Sequence, residues 1–193
     1  MLVGSPNTIT IERALNLSAT CLKLNPANYT VWSFRRKCLL SLGLISDKVT
    51  VQNDLDLAAN LGGSNPKNYQ IWYHRRALLE THGAREFLDE ELDYITNVLE
   101  EDSKNYHAWS YRQWILMEVD DEPTWEKELQ FCKFQYLRVL MSVGVSETAV
   151  RRALQCPFTL LTKMHFLDIN RILNTCNLFF LPPLIQCYQQ LVI

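Results

Sequence analysis

The sequence predicts an all-α fold, a right-handed α-solenoid built from helix-pair repeats, and two observations lead to this prediction. The first is the motif Asn-Tyr-x-x-Trp-x-x-Arg, which occurs at residues 28–35, 68–75 and 105–112. From tyrosine to tyrosine the steps are 40 residues (29 to 69) and 37 residues (69 to 106). Such a period is typical of stacked units that are each too small to bury their own apolar face. The second observation is that helix signals accompany every copy and no strand is required.

The second copy shows how we expect each motif helix to begin. Asn65 suits the N-cap, and Pro66 suits the first helical position because its missing N–H would be unbonded there anyway. The helix is then predicted to run to about His82 and to end at Gly83. The corresponding openings in the other two copies are Asn25-Pro26 and Asp102-Ser103.

A 3-4-3 spacing of Tyr69, Trp72, Arg76 and Leu79 predicts that these side chains share one helix face. The first copy has the same spacing, and the third has glutamine in place of the second arginine. Partner helices are expected over residues 12–24, 51–61 and 90–99, with another beginning within 126–131. The resulting order is first helix, short loop, motif helix, repeated along the chain.

Composition excludes several classes of protein. The 193 residues suffice for a domain with a core, and 19 basic against 21 acidic residues give a net charge of -2, which argues against a nucleic-acid-binding field. Six scattered cysteines form no C-x-x-C pair, so no zinc motif is present. The first residues lack a basic segment followed by an apolar one, so we expect no secretory signal and a cytoplasmic location with free thiols.

The motifs resemble one family. Residues 66–76 (Pro-Lys-Asn-Tyr-Gln-Ile-Trp-Tyr-His-Arg-Arg) and 104–114 (Lys-Asn-Tyr-His-Ala-Trp-Ser-Tyr-Arg-Gln-Trp) resemble repeats of the protein prenyltransferase α subunit, shared by protein farnesyltransferase and geranylgeranyltransferase type I. Residues 28–36 match the preceding repeat. The resemblance covers about 12–132. We therefore expect prenyltransferase α repeats over 1–132 and a divergent, partly irregular segment over 133–193.

The family carries further repeats, whereas no fourth Asn-x-x-Trp motif follows residue 133, so we expect a chain truncated after the third recognisable repeat. Residues 171–193 are nearly uncharged. They are nevertheless interrupted by Pro182-Pro183 and by glutamines, so they predict no membrane span.

A lysine precedes the second and third motifs. The equivalent of Lys67 and Lys104 in the first copy is Ala27, so the fold does not require lysine there. A lysine in the first turn of a helix adds a full charge to free N–H groups, which suits an anion site. The alternative is an exposed lysine beside acidic neighbours. The resemblance implies that Lys67 contacts the isoprenoid diphosphate.

Other copy-specific residues receive roles from the same resemblance. His107 and the hydroxyl of Tyr106 are implied to join Lys67 at the diphosphate, although a structural histidine is the alternative. Gln70 is implied to bind the C-terminal carboxylate of the protein substrate. Tyr69 and Tyr29 would lie at the same mouth, with simple packing of the tyrosines as the alternative.

The remaining motif residues are expected to be structural. Trp32, Trp72 and Trp109 should lie in the core. The motif arginines should form hydrogen bonds between repeats or face a partner: Arg35, Arg75 and Arg112.

The activity implied by the resemblance is transfer of farnesyl or geranylgeranyl from its diphosphate to the cysteine of C-terminal Cys-a-a-X proteins. It requires a β subunit, which would hold zinc and choose the isoprenoid; magnesium is expected with the diphosphate, and this chain binds no cofactor. The expected partners are that β subunit, Cys-a-a-X proteins and isoprenoid diphosphate, without nucleic acid or membrane. Two alternatives stay open: a non-catalytic helical-repeat scaffold, and an inactive truncated isoform.

Overall fold

The structure is a computed structural model that describes residues 6–63 and 65–142. Within these residues the chain forms seven α-helices and two short 3-10 helices, and no strand. The α-helices are α1 (Pro6–Leu24), α2 (Tyr29–Ser41), α3 (Lys48–Gly62), α4 (Tyr69–His82), α5 (Leu88–Glu101), α6 (Tyr106–Val119) and α7 (Glu122–Ser142). The 3-10 helices are Leu44–Ser46 and Ala84–Phe87, which precede α3 and α5.

The chain divides into two compact units, Met1–Val119 and Asp120–Ile193. In the first unit α1 packs against α2, α3 against α4, and α5 against α6. The second helices of the pairs also contact one another in sequence order, α2 with α4 and α4 with α6. This arrangement confirms the predicted all-α solenoid of helix pairs. In the second unit the described residues contain α7, where the Trp125 indole donates to the Asp120 carboxylate at 2.9 Å.

The motif helices begin later than the sequence predicted. Asn65 does not cap α4; its side-chain oxygen accepts the Lys67 N–H at 3.2 Å and closes a turn. The N-cap is Asn68, whose oxygen accepts the Gln70 N–H at 3.1 Å, so α4 starts at Tyr69. The first and third copies have the same turn and a later start, at Tyr29 and Tyr106. In the second copy Asn65 therefore closes a turn, and Asn68, three residues later, caps the helix.

The carbonyl group in this turn explains two motif positions. The Trp32 indole donates to the Pro26 carbonyl at 2.8 Å, and the Trp72 indole donates to the Pro66 carbonyl at 2.8 Å. The asparagine of the next copy donates to the same oxygen: Asn68 Nδ2 lies 2.9 Å from the Pro26 carbonyl. Asn105 Nδ2 likewise lies 3.2 Å from the Pro66 carbonyl. Each shared carbonyl thus fixes the motif tryptophan of one repeat and the cap of the next.

The motif arginines connect first helices of neighbouring repeats. Arg75 donates from Nη1 to the Leu55 carbonyl on α3 at 2.7 Å and grips both carboxylate oxygens of Glu91 on α5. Arg35 likewise donates to the Leu15 carbonyl on α1, and it bonds a single carboxylate oxygen, Oδ1, of Asp54 on α3. The predicted hydrogen bonding between repeats is confirmed for these two arginines. For Arg112, the bonds described are to Leu92 and Thr96 on α5, within its own repeat.

The four residues that were predicted to share one face of the motif helix differ in burial. Trp72 and Leu79 are buried, as are Trp32 and Trp109, but Tyr69 and Arg76 are exposed. The arginine in the core is its neighbour Arg75, whose charge is neutralised by Glu91. The spacing of apolar residues does not reveal a buried, ion-paired arginine, so the predicted face included Arg76 instead of Arg75.

The predicted segment boundary at 132/133 falls inside α7, which continues to Ser142. Residues 143–193, including the apolar stretch 171–193, lie outside the described residues. The division into 1–132 and an irregular 133–193 therefore stays a prediction. None of the described helices is long and apolar enough to cross a membrane.

Replacing Arg75 by methionine should lower the free energy of unfolding by about 3–5 kcal/mol, because the Glu91 carboxylate would be left buried without its partner. The matched control is Arg76→Met: that side chain is exposed and bonds Glu80 on the surface, so the loss should stay within about 1 kcal/mol. Urea unfolding followed by far-UV circular dichroism measures both. Equal losses in the two variants would contradict a stabilising role of the buried ion pair between Arg75 and Glu91.

Candidate functional site

The three motif tyrosines are exposed at the N-terminal ends of α2, α4 and α6. The exposed fractions are 69% for Tyr29, 58% for Tyr69 and 62% for Tyr106. Each is the first residue of its helix, directly after the motif asparagine. The buried aromatic residue is instead the tryptophan three residues later. The alternative in which these tyrosines serve core packing is therefore wrong, and they are accessible for binding.

Four of the rings at these ends form one continuous surface, which we call the aromatic face: Tyr69, Tyr73, Tyr106 and His107. Tyr69 stacks on Tyr73 with ring centroids 6.1 Å apart. His107 meets Tyr69 edge-on at 6.0 Å and Tyr106 edge-on at 5.8 Å, so it joins α4 to α6. Within residues 6–63 and 65–142, no ring contact links Tyr29 to this face. Tyr29 occupies the equivalent position on α2 instead.

Lys67 lies in the turn before α4 rather than in the first helical turn that the sequence predicted. Its Nζ is 3.3 Å from Oδ2 of Asp102, in the turn before α6, and the lysine side chain is 70% exposed. The other Asp102 oxygen accepts the Lys104 N–H at 3.2 Å. Lys67 therefore reaches from one motif to the next, toward the helix that begins with Tyr106 and His107. Lys104 is also exposed in its turn.

The electrostatic state of His107 follows from its surroundings. Partial burial lowers the pKa of His107 below the usual value for histidine, so the ring is neutral at pH 7. A neutral imidazole can donate one hydrogen bond to an anion, and it adds a positive charge only in mild acid. Gln70, one residue into α4, is half-buried beside Tyr69 in the chain. The structure thus brings Lys67, Tyr69, Tyr106 and His107 to neighbouring helix ends.

Sequence reasoning missed two residues of this region. Tyr73 belongs to the aromatic face, and its spacing of four residues from Tyr69 would have placed both on one side of a helix. Asp102 forms an ion pair with Lys67. In the equivalent turns of the other two copies this position is an asparagine, Asn25 or Asn65. That departure from the repeat was visible in the sequence.

A metal fits poorly in the described part of the chain. Residues 6–63 and 65–142 contain no group of three His, Cys, Asp or Glu side chains that could hold a metal ion. The reaction that we consider for this chain does not depend on a metal bound to its described residues.

The fold and these exposed helix ends define a helical-repeat protein with an exposed aromatic surface and a lysine beside it. The model of the protein prenyltransferase alpha subunit repeat matches residues 11–42, 51–82 and 88–119. These three matches coincide with the pairs α1–α2, α3–α4 and α5–α6. The chain belongs to the protein prenyltransferase alpha subunit repeat family. No curated protein gives a significant match to it.

Acidification should strengthen pyrophosphate binding to the full chain through His107. The lowered pKa leaves the ring neutral at pH 7, and charging it adds a cation beside the anion. At about 4 Å in water that attraction is about 1 kcal/mol, which corresponds to roughly fivefold in affinity. Isothermal titration calorimetry of wild type and His107→Ala at about pH 7 and about pH 5.5 measures the ratio of affinities. A ratio independent of pH would remove His107 from the anion site.

Proposed function

We propose that this chain is the α subunit of a heterodimeric protein prenyltransferase. The reaction attaches farnesyl or geranylgeranyl, taken from the diphosphate, to the cysteine of proteins that end in Cys-a-a-X. Family membership supports the class of subunit. The observation that supports it most is that Lys67, Tyr69, Tyr106 and His107 lie at the neighbouring exposed ends of α4 and α6. The asparagine and tryptophan repeated in every motif serve the scaffold instead.

The chemistry assigns a role to each of these side chains. The substrate thiolate attacks C1 of the isoprenoid as the bond from C1 to the diphosphate oxygen breaks, so negative charge accumulates on the leaving diphosphate. Lys67, the Tyr106 hydroxyl and His107 stabilise that charge. Lys67 exchanges the Asp102 carboxylate for the diphosphate when the anion binds, because both compete for one ammonium group.

The peptide occupies the α4 side of the same surface. Gln70 donates its amide to the C-terminal carboxylate of the substrate, and Tyr69 and Tyr29 flank the peptide with their exposed rings. The β subunit covers the exposed helix ends and supplies zinc to the substrate thiolate and most of the isoprenoid pocket. The heterodimer works in the cytoplasm, as the sequence led us to expect.

Co-expression of the full chain with a farnesyltransferase or geranylgeranyltransferase type I β subunit tests this function. We expect a stable complex that transfers labelled isoprenoid to a Cys-a-a-X peptide and not to the peptide with serine in place of cysteine. A complex that forms without transfer would favour the scaffold alternative. Failure to form any complex while the chain is folded would favour the inactive isoform.

Lys67→Ala should lower turnover of the heterodimer by on the order of 10²-fold, since one contact to the leaving diphosphate is lost. The free energy of unfolding should change by under about 0.5 kcal/mol, because the side chain is exposed. Lys104→Ala is the matched control: it occupies the same turn position one repeat later and should leave turnover within about twofold. Single-turnover rates with saturating substrates measure both. Equal rates in the two variants would exclude Lys67 from the site.

Gln70→Ala should weaken peptide binding about tenfold or more while isoprenoid diphosphate affinity stays close to wild type. A lost hydrogen bond to a charged carboxylate costs roughly 1.5–3 kcal/mol. A peptide amidated at its C-terminus lacks that carboxylate, so wild type and variant should bind it about equally weakly. If the amidated peptide still separates the two proteins as strongly as the free acid does, the carboxylate assignment is wrong.

A further inference from the structure

The two junctions between repeats share a plan but differ in two titratable residues, the carboxylate and its partner from the next motif helix. At the second junction, Glu91 receives Arg75 from α4 and the hydroxyl of Tyr111 from α6, at 2.6 Å. At the first junction, Asp54 receives Arg35, and His74 of α4 occupies the place of Tyr111, two residues after the motif tryptophan. One copy thus uses a tyrosine, whose pKa is raised by burial, where the other uses a histidine.

His74 is fully buried between two charged partners. Its Nδ1 lies 3.3 Å from Nη1 of Arg36, and its Nε2 lies 3.3 Å from Oδ2 of Asp54. The guanidinium has only donors, so Nδ1 must accept, and we assign the ring proton to Nε2. Nε2 and Oδ2 are both buried and face each other, without a well-formed hydrogen bond between them. The pocket therefore fits the neutral ring.

A second proton would have to enter at Nδ1, where Arg36 already presents an N–H. Two donors cannot bond each other, so Arg36 must leave. The charged groups that face the ring are Arg35 and Arg36 from α2 and Asp54 from α3. Burial lowers the pKa of His74 most strongly, the Asp54 carboxylate opposes this, and the two arginines add to the lowering. The ring is neutral at pH 7 and charges in acid.

Arg36 connects this buried ring to the surface. Its guanidinium carbon lies 4.8 Å from the centroid of the Tyr73 ring, a cation–π contact. Tyr73 in turn stacks on Tyr69. One half-buried arginine thus touches His74 on its inner side and the aromatic face on its outer side.

We propose that His74 is a positioning residue for the peptide side of the site: the neutral imidazole holds Arg36 against Tyr73, and protonation of the imidazole releases Arg36 and loosens Tyr69, so that peptide binding weakens when the imidazole becomes charged. The inference rests on the proposed function, because Tyr69 is assigned there to the peptide.

The decisive variant is His74→Gln. A glutamine amide offers an oxygen to Arg36 and an N–H to Asp54, as the neutral ring does, but it cannot gain a proton near neutral pH. In the heterodimer, the KM for peptide should rise about fivefold or more as the pH falls from about 7.5 through the lowered pKa of His74 in wild type, and His74→Gln should abolish that rise. The titrations of the substrate thiol, His82 and His107 are common to both proteins and cancel in the comparison.

Two further arms keep the result interpretable. Arg36→Met removes the arginine that connects His74 to Tyr73, so its KM for peptide should be higher than that of wild type. Adding His74→Gln to this variant should not change its KM. The double variant Asp54→Glu/His74→Tyr transplants the second junction into the first and should also lack the acid response. If His74→Gln and wild type have the same dependence of KM on pH, the proposal is overturned.

A readout without catalysis separates this inference from the proposed function. In the full chain with isotope-labelled histidine and tyrosine, the Tyr69 and Tyr73 ring signals should shift with the same midpoint as the His74 ring, and His74→Gln should remove that shift. If this coupling is seen but no heterodimer transfers isoprenoid, the proposed function fails and the link from His74 to Tyr73 stands. If the tyrosine signals do not shift with protonation of His74, or if the proton of the neutral His74 ring is found on Nδ1, the connection from His74 to Tyr73 is refuted.

Discussion

The buried arginine of each complete junction is the interaction on which the stacking of the repeats depends. Arg75 occupies a core position with 3% exposure, and its guanidinium satisfies a backbone carbonyl of α3 and the carboxylate of α5 together. A leucine there could pack against any apolar neighbour. The guanidinium accepts only one geometry, because each of its donors left without a partner would cost about 1–3 kcal/mol. Ion pairs of this kind add little net stability but fix which helix lies beside which.

The motif is long because most of its residues hold the repeats together, and few of them are left for the exposed surface. Asparagine caps its own helix and donates to the preceding turn, tryptophan donates to the carbonyl of its own turn, and arginine joins two first helices. Tyrosine is the motif residue that stays exposed in all three copies. The residues that we propose for binding can therefore vary at the helix ends, at positions 67, 70 and 107, without disturbing the asparagine, tryptophan and arginine bonds that hold the repeats together.

The helix pairs and the core tryptophans were predictable from the sequence because their signals are local and occur three times. The N-caps were not, since Asn65 and Asn68 both suit a cap, and the choice depends on the shared Pro26 carbonyl 42 residues earlier. The residues alone did not predict the exposure of the tyrosines, because an aromatic residue repeated in every copy looks like packing; only the family resemblance placed Tyr69 and Tyr29 at the mouth of a site. The pairing of Lys67 with Asp102 joins different repeats and has no local signature beyond the acidic substitution itself.

The histidines on α4 show that the scaffold couples to protons in opposite directions. His82 presents Nδ1 to the Ile45 carbonyl and Nε2 to Glu86, both at 2.9 Å. Two acceptors favour the doubly protonated ring, and these two bonds raise the pKa of His82. Its contribution to stability is therefore complete below about pH 6.5 and is lost as the pH rises through the raised pKa.

His74 has the reverse linkage, because burial above all, and its donor partner Arg36 in addition, favour the neutral ring. Its contribution is complete above about pH 6.5 and is lost as the pH falls through the lowered pKa. The two effects differ in location as well as in sign: His82 joins the short 3-10 helices at the far end of α4, whereas His74 lies beneath the aromatic face. Acid therefore strengthens the loop contacts of this helix while it weakens the support of the surface where we place the peptide.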